Sequence, residues 1–397
     1  YYLACVEDNT RTGVEILGSQ AGYIEQPEFS PGNTYIPFSN QLDFFGVGVP
    51  YWYYISGNNQ AKEQVPSIEK IQEQLNDYLE EESVNCDFSS FENQGFNVYL
   101  EKADVNSNIK QDAISLDINQ KVVVKFGDKV WQNSKHNLEI KSNIGRFYDL
   151  SKKIYNNWKE TMFLEEYGID VLRLYAPVDS VEIDCSPKIW MMNDIREDLI
   201  TALEANTAAL KIKGDYYDKS DKYFIKDLGE DVTFDVNFMY LREWPARIKA
   251  WPMEDEMLMA EPVGLQEGLG ILGFCYIPYH FVYDLSYPVM IQMYSGGEMF
   301  QFPVVVEIEK NKPRQALDVS GLPDVVPELC EHKNNELTIY TYNTDLEPIE
   351  ADIKYKCFET TCDIGKTQIQ QGEAVLRKNF PQCKNGYIIA NEQGYEK

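Results

Sequence analysis

Histidine, the most common catalytic base, is scarce in this chain: 397 residues contain only His136, His280 and His332. A serine or cysteine nucleophile needs such a base within hydrogen-bonding reach. His280 is the best candidate of the three, but it lies in an apolar stretch where a hydrogen-bonded core histidine is the more common arrangement. No GxSxG or HExxH motif occurs. We therefore predict no catalytic residues and a protein that is not an enzyme.

Two glycine-containing segments have partial similarity to nucleotide-binding motifs. Residues 268–273 match the GxGxxG spacing, but a strand containing proline follows them where a dinucleotide-binding fold needs a helix. Gly365-Lys366-Thr367 lacks the upstream glycine of a phosphate-binding loop. We predict no cofactor.

Carboxylates cluster in two loops, residues 215–221 and 253–261. Calcium accepts such oxygen ligands, but neither loop has the spacing of an EF-hand, and Lys219 and Lys222 would repel a cation in the first. We predict solvated hairpin tips and no metal site. The abundance of Asp and Glu leaves open a carboxylate pair suited to glycoside hydrolysis.

The charge of the chain restricts its partners. The formal net charge is −28 and the isoelectric point is about 4.5. Nothing in such a chain would neutralise phosphates or hold a basic patch against anionic lipid, so we predict no nucleic-acid partner. The 44% of hydrophobic residues is enough for extensive cores.

The cysteines are even in number and spread along the chain without a CxxC pair, a pattern that favours disulfides and export over a zinc site. The disulfide candidates are Cys5, Cys86, Cys185, Cys275, Cys330, Cys357, Cys362 and Cys383. Several connectivities fit the sequence. We predict the pairs Cys5–Cys86, Cys185–Cys275, Cys357–Cys362 and Cys330–Cys383.

The chain begins with Tyr1-Tyr2-Leu3-Ala4, and no apolar run approaches the ~20 residues that span a bilayer. We expect this start to be the stub of a cleaved or removed hydrophobic signal or anchor. The expected location is extracellular or at the cell surface, with a membrane anchor upstream of Tyr1 as a further expectation.

A long apolar hairpin at residues 275–308 is the centre of the predicted fold, because Ser295-Gly296-Gly297 separates two segments rich in branched and aromatic residues. Periodic apolar residues predict helices over residues 3–17, from Ser67, over 145–175 and over 194–210. The fold class is α+β, with mixed helices and antiparallel sheets and a C-terminal Ig-like β-sandwich. The predicted divisions are an N-terminal domain (1–143), a central domain that contains the hairpin (144–315), a linker (316–332) and the sandwich (333–397).

Four consecutive aromatic residues, Tyr51, Trp52, Tyr53 and Tyr54, are candidate interaction aromatics. Such a run serves either as a stacking platform for a ligand or as a buried strand. The ligand-binding interpretation requires Trp52 to be exposed to solvent.

The C-terminal residues Cys357, Cys362-Asp-Ile-Gly365 and Phe380-Pro-Gln-Cys383 resemble an immunoglobulin-like module of the carboxypeptidase-regulatory type. The longer chain resembles a family of exported cell-surface proteins from small-genome, symbiotic (DPANN) archaea. The segments that carry this resemblance are Gly22-Tyr-Ile24, Val49-Pro-Tyr-Trp-Tyr-Tyr54, Tyr279-His-Phe-Val-Tyr-Asp284, Tyr287-Pro288 and Asn311-Lys-Pro-Arg314. The resemblance implies a pilin-like hydrophobic segment before the ectodomain and assigns no activity.

These observations together predict an exported cell-surface structural or interaction protein. It would be an envelope component or a pilin-like or membrane-tethered ectodomain that mediates cell–cell contact, with protein partners or self-assembly at the surface. The alternative function is a secreted hydrolase acting on peptide or glycan.

Overall fold

The fold, seen in a computed structural model, is α+β, as the sequence predicts, with helices and mostly antiparallel sheets. The structure describes residues 1–214, 224–229, 232–264, 275–315, 330, 333–343, 346–357, 360–370, 372–383 and 386–391. The chain divides into two compact units, Tyr1–Leu317 and Asp318–Lys397. The predicted linker at residues 316–332 lies outside the described residues except for Cys330.

The elements are numbered in chain order. The helices are α1 (Tyr2–Ser19), α2 (Ile68–Glu82), α3 (Ser89–Glu92), α4 (Ile144–Thr161), α5 (Phe163–Tyr175) and α6 (Met192–Ala209). The strands of the first unit are β1 (Gln41–Phe44), β2 (Val47–Pro50), β3 (Tyr53–Ile55), β4 (Ala61–Glu63), β5 (Phe96–Leu100), β6 (Asp104–Ile109), β7 (Ala113–Phe126), β8 (Lys129–Lys141), β9 (Asp179–Glu182), β10 (Lys188–Met191), β11 (Leu210–Ile212), β12 (Phe224–Lys226), β13 (Asp235–Met239), β14 (Arg247–Trp251), β15 (Met257–Ala260), β16 (Ile277–His280), β17 (Val282–Ser295), β18 (Glu298–Glu309) and β19 (Lys312–Pro313). Those of the second unit are β20 (Lys333–Tyr340), β21 (Asp352–Cys357), β22 (Thr360–Lys366), β23 (Gln368–Gln370), β24 (Glu373–Pro381) and β25 (Tyr387–Asn391).

The predicted hairpin is formed by β17 and β18. Ser295 pairs with Glu298 across the turn, and Gly296 and Gly297 both have positive φ, as a tight hairpin turn requires. The hairpin begins at Val282, not at Cys275, because Ile277–His280 pairs with β9 in a different sheet. Both faces of β17 are buried, and both of its edges are paired, with β18 on one side and β13 and β14 on the other.

Helices cover this central sheet because each carries an apolar stripe. α1, α4 and α5 contact β18, whereas α6 contacts β13. α2 begins where the sequence predicts, since the side chain of Ser67 accepts a hydrogen bond from the backbone N–H of Lys70. A second sheet contains β5, β6, β7 and β8, and α2 contacts its strand β6.

The first unit has one continuous hydrophobic core. Residues 1–143 and 144–315, which the sequence divides into two domains, both contribute to it. Trp52 from the first part stacks on Phe302 from the second with ring centroids 4.1 Å apart. The two parts are therefore packed together in a single compact unit.

The second unit contains two three-stranded sheets among its described residues, β20-β24-β23 and β22-β21-β25. They enclose a small core that includes Ile353, Leu376 and Phe380. The Ig-like sandwich stays a prediction, because this arrangement alone does not establish that topology.

Two predicted disulfides of the first unit are present. Cys5–Cys86 joins α1 to the chain beyond α2, and Cys185–Cys275 joins the segment between β9 and β10 to the start of β16.

The predicted pairing in the second unit is wrong. Cys330 is bonded to Cys362, so neither Cys357–Cys362 nor Cys330–Cys383 forms. The strand register explains this, because Cys362 lies opposite Tyr355 and Cys357 lies opposite Thr360. Cys383 is itself disulfide-bonded.

Candidate interaction surface

Among the described residues, the densest group of buried charges lies between α5 and the central sheet. Arg314 Nε donates a hydrogen bond of 2.9 Å to Glu165 Oε1, and Trp158 Nε1 donates one of 2.8 Å to Glu165 Oε2. The Arg314 guanidinium lies 4.8 Å from the ring centre of Tyr53 and 4.5 Å from that of Trp158. The Glu165 and Arg314 side chains are 0% and 4% exposed, so a substrate in solution has no access to them.

Glu307 lies beside this group, and its backbone N–H donates to Glu165 Oε1 at 3.4 Å. Burial, reinforced by the nearby charge of Glu309, raises the pKa of Glu307 to about 7. Burial also raises the pKa of Glu165, although Arg314 opposes that change. A buried carboxylate held by an arginine and a tryptophan fixes α5 to the sheet, so we assign this cluster a structural role.

The aromatic run at residues 51–54 belongs to the core. Tyr51 and Trp52 are 0% exposed, Tyr53 is 1% exposed and Tyr54 is 8% exposed. Trp52 Nε1 donates to the carbonyl oxygen of Ala21 at 3.0 Å. The interpretation of these four residues as interaction aromatics is therefore wrong, because no ring face is open to a ligand.

The histidines are not brought together. His280 lies on β16 outside the hairpin and is exposed, so its assignment as a core histidine is wrong. His136 on β8 has its Nε2 3.0 Å from the carbonyl oxygen of Gln120. His332 falls outside the described residues, as do the GxGxxG segment 268–273 and the acidic loop 215–221. Within the part of the chain that is described, no group of three or more His, Cys, Asp or Glu residues could hold a metal ion.

Two short antiparallel ribbons at one end of α5 and α6 carry the most unusual surface of the first unit. One ribbon pairs β9 with β16, and the other pairs β10 with β15. The disulfide Cys185–Cys275 links the segments that lead into them. Val263, just after β15, and Tyr276, just before β16, exchange two backbone hydrogen bonds that join the ribbons side by side. The outer edges, on β9 and β10, have no further strand partner among the described residues.

Period-2 alternation gives the β10–β15 ribbon one inner and one outer face. On the inner face, Trp190 lies opposite the buried Leu258, and its ring centre is 4.9 Å from that of Tyr279. On the outer face, Ile189 lies opposite Met259, and they are 54% and 38% exposed. The outer face is thus apolar and open to solvent.

More exposed apolar side chains lie on the two ribbons and on the segments next to them. We call the whole set the ribbon surface; it comprises Leu174, Tyr175, Val181, Ile183, Ile189, Met191, Trp251, Met253, Met259 and Val263. Shallow recesses of about 550, 550 and 280 Å³ open among the same elements. Soluble proteins rarely expose so many large apolar side chains together, and such patches mark interaction sites.

The ribbon surface is acidic. Residues 173–198 and 247–263, which contain it, hold ten acidic and five basic side chains. One ion pair crosses between the ribbons, from Lys188 to Glu182, and the Tyr279 hydroxyl donates to the same Glu182 carboxylate at 3.3 Å. A partner that covers the apolar side chains would therefore meet a rim of negative charge.

The sequence does not predict this surface, because the acidic side chains of residues 253–261 indicate a loop. That stretch contains β15, and the short apolar run Met257-Leu258-Met259 after the acidic residues is the signal for a strand. A similar apolar run occurs at Ile189-Trp190-Met191. The two signals together predict a ribbon, although they do not show that its outer face is uncovered.

Comparison of this chain with protein-family models, curated proteins and solved structures found no match. The resemblance to the archaeal surface-protein family accordingly stays a prediction. No described helix is long and apolar enough to cross a membrane.

Proposed function

We propose that this chain is an exported cell-surface protein that acts by binding other proteins and not by catalysis. The observation that carries this proposal is the ribbon surface, in which apolar side chains are exposed on a disulfide-linked pair of β-ribbons. Such a surface suits a protein partner, because a folded partner or an added strand can cover both the apolar face and the unpaired strand edges.

Export is supported by the disulfides. The bonds Cys5–Cys86, Cys185–Cys275 and Cys330–Cys362 fit an extracellular protein. Disulfides persist in oxidising compartments and are rare in the cytosol. The resemblance to archaeal surface proteins favours contact between cells or between envelope subunits as the setting.

We also propose that the second unit is the Ig-like module that its motif resembles. Two antiparallel three-stranded sheets around one core, with a disulfide from Cys330, ahead of β20, to Cys362 on β22, support this proposal. An experimental structure of the full chain tests it through the order of the strands in the two sheets.

The function is tested by binding of the purified, fluorescently labelled protein to intact cells of its source organism. We expect saturable binding that Ile189→Asp weakens at least tenfold, because a charge in the apolar patch opposes its burial. Ile369→Asp is the matched control, since Ile369 is a strand residue of the second unit with 57% exposure against 54% for Ile189. Equal binding by wild type and Ile189→Asp would contradict the proposal.

The location is tested on the same cells. Protease added outside intact cells should degrade the native chain while a cytosolic marker survives. Full protection of the chain until the cells are lysed would show that it is not at the surface.

A further inference from the structure

A second exposed apolar face lies on the sheet that contains β7 and β8. We call residues 96–100, 122–126 and 129–133 the outer sheet; they are β5, the end of β7 and the start of β8. Strand pairing places Val98, Val124 and Trp131 side by side in one row across the three strands. A second row, two residues further along each strand, contains Phe96, Phe126 and Lys129. Rows two residues apart point to the same side of a sheet, so these rows share a face.

This face is apolar and uncovered. Trp131 is 51% exposed and Phe126 is 45% exposed, and the rings of Phe96 and Phe126 stack with centroids 4.6 Å apart. The opposite face carries Val130 and Lys125, and the Lys125 amine lies 5.2 Å from the ring centre of Tyr99. On β8, Trp131 thus lies on the apolar face and the adjacent Val130 lies on the opposite face.

The sheet that contains this face differs in charge from the rest of the chain. Residues 96–141 contain seven Lys and six acidic side chains, a net charge of +1, whereas the whole chain carries −28. The ribbon surface has the opposite balance, with ten acidic and five basic side chains. The first unit therefore bears two exposed apolar surfaces of opposite local charge.

We propose that the outer sheet of one copy binds the ribbon surface of a second copy, so that the chains associate head to tail. This inference rests on the proposed function and names a second copy of this chain as the partner. Pairing the ribbon surface with itself would bring acidic rims together, whereas pairing it with the lysine-bearing sheet brings opposite charges together. Because charges are screened beyond ~8 Å at physiological ionic strength, the local charges at the contact matter more than the net −28.

A head-to-tail contact leaves one surface of each kind free at the ends of a dimer, so growth continues into an open chain unless a ring closes. The apolar face is small: three strands and five residues span ~14 Å by ~17 Å. This is well below the ~800 Å² per partner of a standard interface. We therefore expect weak pairwise binding that becomes visible at high protein concentration, as occurs on a crowded surface.

Sedimentation velocity of the purified chain over a series of concentrations tests the inference. We expect wild type to form dimers and longer species as concentration rises. Trp131→Ser and Ile189→Asp should each weaken association at least tenfold. The controls Val130→Ser and Ile369→Asp should associate like wild type, because Val130 lies on the opposite face of β8 and Ile369 lies in the second unit. Circular dichroism confirms that each variant is folded.

Mixing the two interface variants tests whether the copies associate head to tail. Trp131→Ser retains an intact ribbon surface and Ile189→Asp retains an intact outer sheet, so an equimolar mixture should form a dimer and stop there. Failure of the mixture to dimerise while wild type associates would overturn the head-to-tail arrangement. A wild-type chain that stays monomeric at every concentration would overturn self-association. In that case loss of cell binding by Ile189→Asp would still uphold the proposed function.

Discussion

Arg314 and Glu165 form an ion pair at 2.9 Å that is almost completely withdrawn from water. It connects α5 to the chain just beyond β19, near the end of the first unit. Tyr53 and Trp158 flank the guanidinium, so the charge is held between two aromatic rings. Since desolvation opposes both charges, the pair matters to stability chiefly when one partner is lost.

Arg314→Met should lower the free energy of unfolding by about 3–5 kcal/mol, because it leaves the carboxylate of Glu165 buried without a counter-charge. The double variant Glu165→Met/Arg314→Met should recover part of that loss, since the buried charge is gone but Trp158 Nε1 loses its acceptor. Urea unfolding followed by tryptophan fluorescence measures both. The control Arg11→Met removes an exposed pair with Glu7 and should cost less than about 1 kcal/mol. A double variant whose loss is the sum of the two single losses would contradict the expectation.

Glu307 should make the protein less stable as pH rises through the weakly acidic range. Its pKa in the folded protein is about 7, against an ordinary value of 4.5, because it is buried near Glu309. Between these values the folded state holds a proton that the unfolded state has released, so the unfolding free energy falls as pH increases. The fall is complete above the folded pKa and amounts to about 3 kcal/mol.

Glu307→Gln should remove that part of the pH dependence, and urea unfolding at intervals from pH about 4.5 to about 8 measures it. Glu165, whose pKa is also raised, contributes in the same direction, so the difference between variant and wild type isolates Glu307. Glu73→Gln, at an exposed helical position, is the control and should leave the curve unchanged. Parallel curves for Glu307→Gln and wild type would show that Glu307 titrates normally.

The sequence predicts the hairpin and the main helices because their signals are local. Ser295-Gly296-Gly297 defines the turn by the backbone conformations that glycine allows. Ser67 defines the start of α2 through a single side-chain cap. Contacts between distant segments have no such local signal, and residues 1–143 and 144–315 therefore looked separable although they share a core.

The solvent exposure of individual apolar side chains cannot be predicted from this sequence. Ile189 and Trp52 are both apolar residues of β-rich segments, yet Ile189 is 54% exposed and Trp52 is 0% exposed. The difference depends on what packs over each strand, since Phe302 and Tyr155 cover Trp52. An alternating pattern identifies two faces of a strand without showing which one is covered.

Disulfide prediction shows the same limit. Cys5–Cys86 and Cys185–Cys275 follow from predicted neighbouring elements, and both are present. Proximity along the chain predicts that Cys362 pairs with Cys357, but the register of β21 and β22 places Cys362 opposite Tyr355. Register depends on which face is buried, so proximity in sequence was a poor guide.

Gly18 near the end of α1 should not tolerate a side chain. A Cβ at this position would lie 2.1 Å from the carbonyl oxygen of Met299, and backbone atoms of β18 cannot move aside cheaply. Gly18→Ala should therefore cost about 3 kcal/mol of unfolding free energy. Gly57→Ala is the control, because its Cβ would lie 3.3 Å from the flexible side-chain amide of Asn33, and it should change stability by less than about 1 kcal/mol. Equal stability of the two variants in urea would refute the close approach of α1 to β18.

The two disulfides of the first unit should have the same effect on stability and different effects on binding. Cys5–Cys86 and Cys185–Cys275 close loops of 81 and 90 residues, so replacing either pair by serine should cost about 4–5 kcal/mol. Only Cys185–Cys275 connects the segments that carry the two ribbons, so Cys185→Ser/Cys275→Ser should also weaken binding to intact cells.

Cys5→Ser/Cys86→Ser is the matched control for that experiment. It removes a disulfide that closes a loop of similar length and leaves the disulfide at the ribbon surface intact. Cell binding is compared at a temperature where circular dichroism shows both double variants folded. A greater loss of affinity in Cys185→Ser/Cys275→Ser would show that the disulfide positions the ribbon surface for binding. Equal affinity in the two variants would mean that the ribbons hold their arrangement without the disulfide, through contacts such as those of Trp190 with Tyr279 and of Lys188 with Glu182.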